Sequence, residues 1–380
     1  MPIWLIMFMN ASGAWVSWLI LGPLITTESK TLLAFGLMAF IRQILGFIGT
    51  RVAEKYPTSN AKKSNLIVET TLFIANVLAI GFTFYEKDII IFWAPAWAVF
   101  RYFIGGIATI YGFQLLSRFS TKETSVIGQL AMTQGSIIVG ALIAYYLMQL
   151  SPLQSLVVAL SFDALTSLVF ILWLIIKKIP HKEEPSTKPA SLTNIVGFLF
   201  KETGAKTGSM FLLGLFILSG LPSMCLYVSL SIEKPDFFSI LNLIIGVCLL
   251  FFSLIISYSM LRKINSFYFS LAVLLLSVCS YFLINSLIIF ILLFILGATE
   301  LLLLLHREVM SKVTQEAAVK VRVSMALQLN VIFGLGEIVC CWLITMNLFT
   351  IFVLFKTISL ILFAIIHFNI RDKVKIKYAN

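Results

Sequence analysis

The sequence predicts an all-α membrane protein of about twelve transmembrane helices arranged as two six-helix bundles. Three observations carry this prediction: an overwhelmingly apolar composition, a one-sided distribution of basic residues, and a single long polar stretch midway along the chain. Of 380 residues, 60% are hydrophobic and only 12% charged, and the mean hydropathy is +1.01. Ordinary soluble domains carry about 25% charged residues.

A helix needs about 20 mostly apolar residues to cross a hydrocarbon core ~30 Å thick. Runs of that kind fall at 3–25, 31–50, 64–85, 89–115, 124–148, 153–176, 207–230, 236–260, 265–284, 285–306, 320–345 and 347–370. The first, "MPIWLIMFMNASGAWVSWLILGPL", has no basic residues ahead of it and is longer than the apolar part of a signal peptide, so it reads as an uncleaved first helix. The missing basic flank also fits a start a few residues further upstream. Cytoplasmic loops collect Lys and Arg, and 22 of the 28 fall on one side of this twelve-span arrangement. Only Lys30, Lys87 and Lys234 fall on the other, and Arg42, Arg101 and Lys356 lie within spans. Both termini are therefore expected in the cytoplasm, with the chain in the inner (cytoplasmic) membrane. The net charge of +11 is read as topology, with the bilayer as partner and no nucleic acid.

The stretch 177–206 divides the chain into an N-terminal bundle, 1–176, and a C-terminal bundle, 207–380. Its front, "KKIPHKEEPSTKPAS", reads as a flexible cytoplasmic linker. Its rear, "LTNIVGFLFKE", reads as an amphipathic segment on the membrane surface. Two such halves suggest a site between them near the bilayer midplane. The outer loops, "TTESK", "YEKD", "QLSP", "IEKPD", "INS" and "TMN", are too short to build a catalytic pocket, so an enzyme is not expected. The segment "ETGAKTG" lacks the spacing of a phosphate-binding loop and follows no strand. Five cysteines, all within second-half spans, make no CxxC and have no His at ligand spacing, which predicts small apolar packers, no metal and no cofactor.

Seven charges fall in the interior of spans, setting aside the first three residues at an end: Arg42, Glu69, Arg101, Asp163, Glu300, Glu337 and Lys356. Each would cost roughly 2.5–3.5 kcal/mol unpaired at the bilayer centre. Glu69 and Glu300 lie one to two turns from the cytoplasmic end and are expected to be solvated or locally paired. Arg101 is halfway along span four, where Trp97, Gly105, Ala108 and Gly112 share its face. Either it bonds to carbonyls or an acid inside the first bundle, or it is a cavity cation for an anionic group or a proton site. On span eleven, Asn330, Glu337 and Cys341 share a face, and a Glu337–Arg42 pair between the halves would make a gate. Asp163 and Lys356 occupy similar places in the sixth span of each half and are expected to anchor packing within their own bundles.

Two six-helix halves and a basic central loop resemble the major facilitator superfamily over the whole chain. Arg101, Gly105 and Ala108 match the Arg and following Gly of that family's fourth helix. "TRVAEKYPTSNAKK" keeps a trace of its loop after helix two, with Thr50, Glu54, Lys55 and Pro57 at the motif positions. Within the family, "VALSFDALTSLVFILWLIIKKIP", with Asp163, and "HREVMSKVTQEAAVKVRVSMALQLNVIFGLGE", with Arg322, resemble the enterobactin-exporter and macrolide-efflux branch. Ala14 and Trp15 stand where that branch has an acid in helix one. Helix five keeps Gly135 and Gly140 without the exporters' Pro. Proton coupling would then fall to Glu337, Glu300 or Asp163, or the protein would be a uniporter or be driven by another gradient.

The resemblance implies a cavity lined by helices one, four, seven and ten. Helix one offers Asn10, Ser12, Trp15 and Trp18; helix four offers Arg101, Tyr102 and Tyr111. Helix seven adds Ser219, Ser223 and Tyr227, and helix ten adds Glu300. This aromatic, sparsely polar set with one deep cation suits an amphipathic organic molecule with an acidic or acceptor group. The expected function is a monomeric secondary active transporter, an exporter of a siderophore-like or drug-like compound. It is expected to work as an antiporter using protons, with substrate and coupling roles on Arg101, Glu337, Arg42, Asp163 and Glu300. The alternatives are an importer of a small nutrient and a non-transporting relative acting as receptor or assembly partner.

Overall fold

The computed structural model describes residues 2–56, 60–85, 90–117, 124–179, 213–257 except 215, 217 and 218, then 286, 288–296, 331–359 and 362. Among the described residues every regular element is helical, with no strand. In chain order the helices are α1 (Ile3–Ser29), α2 (Leu32–Lys55), α3 (Ala61–Tyr85), α4 (Ile90–Ser117), α5 (Thr124–Leu147) and α6 (Pro152–Ile176). They continue with α7 (Leu221–Ser231), α8 (Phe237–Ser257), α9 (288–296), α10 (Val331–Thr345) and α11 (Phe349–Ser359). By length and composition, four of them can cross a membrane: α1, α2 as far as Ala53, α3 and α6. The predicted span 265–284 lies outside the described residues, and the spans at 89–115, 207–230, 236–260, 285–306, 320–345 and 347–370 lie partly outside them.

Local chemistry sets the helix ends. In hydrocarbon no water is at hand for a bare carbonyl, and hydroxyls at the end of α1 turn back onto the helix. Thr26, Thr27 and Ser29 donate to the carbonyls of Gly22, Pro23 and Ile25 at 3.0, 2.9 and 2.6 Å. Lys30 then closes α1 in the left-handed conformation, and the Thr31 hydroxyl accepts from Leu33 N to open α2. At α6 a capping box of Ser151 and Gln154, with Pro152 in the first turn, fixes the start.

The chain falls into two compact units. One comprises Met1–Pro189 with Cys225–Leu250, and the other comprises Ala190–Met224 with Phe251–Asn380. In the first unit α1 packs against α5 and α6, α2 against α4, and α3 against both α4 and α6, while α1 meets α2 and α4 only sparsely. Along α3, Ile67, Ile74, Leu78 and Phe82 are exposed, whereas Asn65, Glu69, Asn76 and Thr83 are buried together with Val68, Leu72, Ala75 and Ala79. A helix that keeps its outer face apolar and turns its polar side chains inward is built for lipid surroundings.

Glycine permits the closest approach. A methyl at Gly49 would run into the Phe103 carbonyl, and one at Gly106 into the Gly46 carbonyl. Thr50 Oγ1 adds a bond across the same crossing, to Gly106 O at 3.3 Å. Elsewhere in this unit Phe35 stacks edge-on against Phe238 of α8 at 5.9 Å. Ile3, Ile6, Leu115, Phe170, Trp173 and Leu174 form an apolar cluster between one end of α1, α4 and α6.

Gly49→Ala or Gly106→Ala should therefore force α2 and α4 apart at a cost of about 1–3 kcal/mol. Gly81→Ala, where nothing lies within 4 Å of the added carbon, should leave stability equal or slightly higher. Thermal unfolding of the three variants in detergent checks this, and an equal loss in all three would contradict it.

Candidate functional site

Charges that the sequence could place only by depth acquire partners in the structure. In the first unit Arg101 of α4 meets Asp163 of α6 side-on, Nε to Oδ2 at 3.1 Å and Nη2 to Oδ1 at 3.2 Å. The two are 6% and 0% exposed. Space for the pair comes from small neighbours. Gly105 sits beside the guanidinium, where an added Cβ would lie 3.4 Å from Nη1, and Gly13 of α1 passes where one would lie 2.9 Å from Asp163 Cα. A forked, two-bond contact suits a buried guanidinium, because each ion then loses less on leaving water.

One turn on from Asp163 the polar contacts extend to a second acid. Ser167 Oγ donates to Asn10 Oδ1 at 3.2 Å, and Asn10 Nδ2 donates to Glu69 Oε1 at 3.0 Å. Glu69 is 2% exposed, and its Oε2 is a buried atom with no hydrogen-bond partner. Of the two environments expected for Glu69, bulk solvation is overturned: α1, α4 and α6 close over it. Four helices thus contribute Asn10, Glu69, Arg101 and the pair Asp163 and Ser167 to one buried polar cluster. Two turns along α3, Trp97 Nε1 donates to Asn76 Oδ1 at 3.2 Å.

Arg42 of α2 lies against aromatic rings. Its guanidinium carbon is 5.0 Å from the Trp15 ring centre, 4.3 Å from that of Trp18 and 5.1 Å from that of Tyr102. Trp18 is buried, whereas Arg42, Trp15 and Tyr102 are half-buried. A cation held among three ring faces, each contact contributing up to about 2 kcal/mol when desolvated, forms a mixed aromatic and cationic surface. Ser12 is buried and donates to Phe8 O at 2.8 Å. Near the other end of α4, Tyr111 Oη donates to Tyr56 O at 3.2 Å.

In the second unit two further charges serve a break in the seventh predicted span. Gly220 has φ +80°, a conformation open to glycine and strained for other residues, and α7 begins directly after it. Glu337 of α10 accepts from Gly220 N at 3.1 Å, from Ser223 N at 2.9 Å and from Ser223 Oγ, to which Cys341 Sγ donates in turn at 3.1 Å. On the other side of the break Lys356 of α11 donates to Phe216 O, to Ser219 O at 2.8 Å and to Ser219 Oγ at 3.0 Å. An anion at the donor end and a cation at the acceptor end satisfy the backbone groups that an interrupted helix leaves bare. Tyr227 is half-buried on α7. Glu300 lies outside the described residues. Among the described residues no group of His, Cys, Asp and Glu could hold a metal.

No protein-family profile matches the sequence, and comparison with characterised proteins returned no match. Solved structures do match. A point variant of the nucleoside transporter NupG superposes with a TM-score of 0.69 at 14% identity, covering 96% of this chain and 98% of its own. A bacterial homologue of the iron transporter ferroportin, outward-facing, gives 0.67 at 12%, covering 97% and 98%. The xylose transporter XylE from E. coli gives 0.64 at 12%, covering 97% and 96%. The chain has the fold of membrane transporters. At these identities the likeness is one of fold alone.

Sequence reading missed two features. It did not weigh Glu69 as a functional group, although Asn65, Glu69, Asn76 and Thr83 at spacings of four, seven and seven mark one polar face of a helix. It also missed the break in the seventh span, for which "SGLPS" at 219–223 was an available signal.

Asp163→Ala should cost about 3–5 kcal/mol by stranding the Arg101 charge. The Arg101→Ala, Asp163→Ala double variant should lose clearly less than the sum of the single losses. Unfolding midpoints of the four proteins in one detergent check this, and additive losses would show that the contact contributes nothing.

Proposed function

We propose that the chain is a secondary active transporter that works by alternating access and exports an amphipathic organic compound bearing an acidic or acceptor group. One observation carries the substrate class: the half-buried Arg42 guanidinium among the faces of Trp15, Trp18 and Tyr102. Flat apolar rings take up the hydrophobic body of such a molecule, and the guanidinium meets its acceptor group. A sugar-like substrate would need many more hydrogen-bonding side chains around it.

The buried pair Arg101–Asp163 supports this reading as the charge centre of the same unit. The fold shared with a nucleoside transporter, a bacterial homologue of an iron transporter and a xylose transporter supports transport in general. Export, a siderophore-like or drug-like substrate, a monomeric working state and an inner-membrane location rest on the sequence resemblance.

Purified protein screened by thermal shift against lipophilic organic anions, lipophilic cations and polyols tests the substrate class. An organic anion should raise the unfolding midpoint; at a hundred times its Kd the gain is about 2.7 kcal/mol. Arg42→Ala or Trp18→Ala should lose at least tenfold in that affinity. A response to polyols alone would overturn the substrate class. For a compound that binds, its flux in inside-out against right-side-out vesicles gives the direction.

A further inference from the structure

The polar cluster of the first unit holds two acids and one base. Asp163 takes both faces of the Arg101 fork. Glu69 accepts from Asn10 at Oε1, Ser167 also lies in reach of its carboxyl, and Oε2 is buried without a hydrogen-bond partner. Among the described residues the charged groups that act on Glu69 are Arg101 from α4 and Asp163 from α6; α1 presents uncharged Asn10 and α6 also presents Ser167. An ionised Glu69 would leave the cluster with a net negative charge away from water and with a carboxylate oxygen that accepts no hydrogen bond. A protonated Glu69 leaves it neutral.

We propose that Glu69 is a proton-binding site of this protein, its carboxyl exchanging a proton at Oε2 beside the Arg101–Asp163 pair. On release the O–H bond breaks, the electron pair stays on Oε2 and the proton passes to water. The ionised carboxylate then competes with Asp163 for Arg101, a cation that acts on both. Proton occupancy of α3 thereby sets how tightly α4 is held to α6. Polar groups continue on both sides of Glu69 along the buried face of α3. Asn65 lies one turn before it, and Asn76, whose Nδ2 also has no partner, lies two turns after. The inference rests on the transport reading for its place in a cycle, but the site itself can be tested with no substrate.

The test is infrared difference spectroscopy of the full chain in lipid nanodiscs across a pH titration, reading the carbonyl stretch of a protonated carboxyl. The wild-type protein should show such a band. Labelling with ¹³C-glutamate should shift it, labelling with ¹³C-aspartate should not, and Glu69→Gln should remove it. If Glu69→Gln does not fold, Glu69→Asp replaces it, and the band should then follow the aspartate label. Asp163→Asn, which leaves Glu69 as the acid facing Arg101, should alter the pH range of the band; an unaltered range would overturn the coupling to the pair. A band that follows no glutamate label, or that survives Glu69→Gln unchanged, would overturn the site. Flux measured on the same preparations keeps the two readings apart. Active transport without the Glu69 band overturns the proton site and leaves transport standing. A titrating Glu69 in a protein that moves none of the screened compounds does the reverse.

Discussion

A charge or a bare backbone group inside hydrocarbon has no water to turn to, and every distinctive feature of this chain answers that constraint. Arg101 and Asp163 answer it by pairing, and Arg42 by lying against three rings. Glu337 and Lys356 answer it by binding the backbone groups exposed at the interruption before α7. The hydroxyls at the end of α1 do the same work on a smaller scale. Such residues are costly wherever they are unpaired. Their number in one apolar chain is therefore a statement about what the interior must do as well as about how it holds together.

The sequence disclosed some of this arrangement and concealed the rest for physical reasons. Hydropathy alone was enough to find the apolar helices, because it follows from a one-dimensional sum along the chain. The depth of Arg101 and of Asp163 was legible in the same way. Their partnership was not, since the two are 62 residues apart and the facing of each helix is decided by its neighbours. Glu69 shows the point most clearly. Its place near one end of a span suggested water, but that position is covered by α1, α4 and α6, and only packing could reveal it.

The second unit teaches a complementary lesson. Glu337 read as a partner for a distant cation because an acid in mid-span asks for a positive charge. Backbone N–H groups are a sufficient alternative, and those at Gly220 and Ser223 supply them. The signal was local: a Gly and a Pro within five residues of an otherwise apolar run. An interruption of a span makes donors and acceptors available at membrane depth, and the charged side chains of α10 and α11 are placed to meet them.

The glycine crossing of α2 and α4 has a mechanical meaning. With their backbones in contact, these two helices form one rigid beam that carries Arg42 and Arg101 at a fixed spacing. The glycine contacts of α1 with α6 at Asp163 and with α5 at Gly140 make a second beam. Between the beams contact is sparse, which leaves a seam where they can slide. The Arg101–Asp163 contact is the bolt across that seam, and α3, resting on both sides, is the helix that feels whether the bolt is drawn.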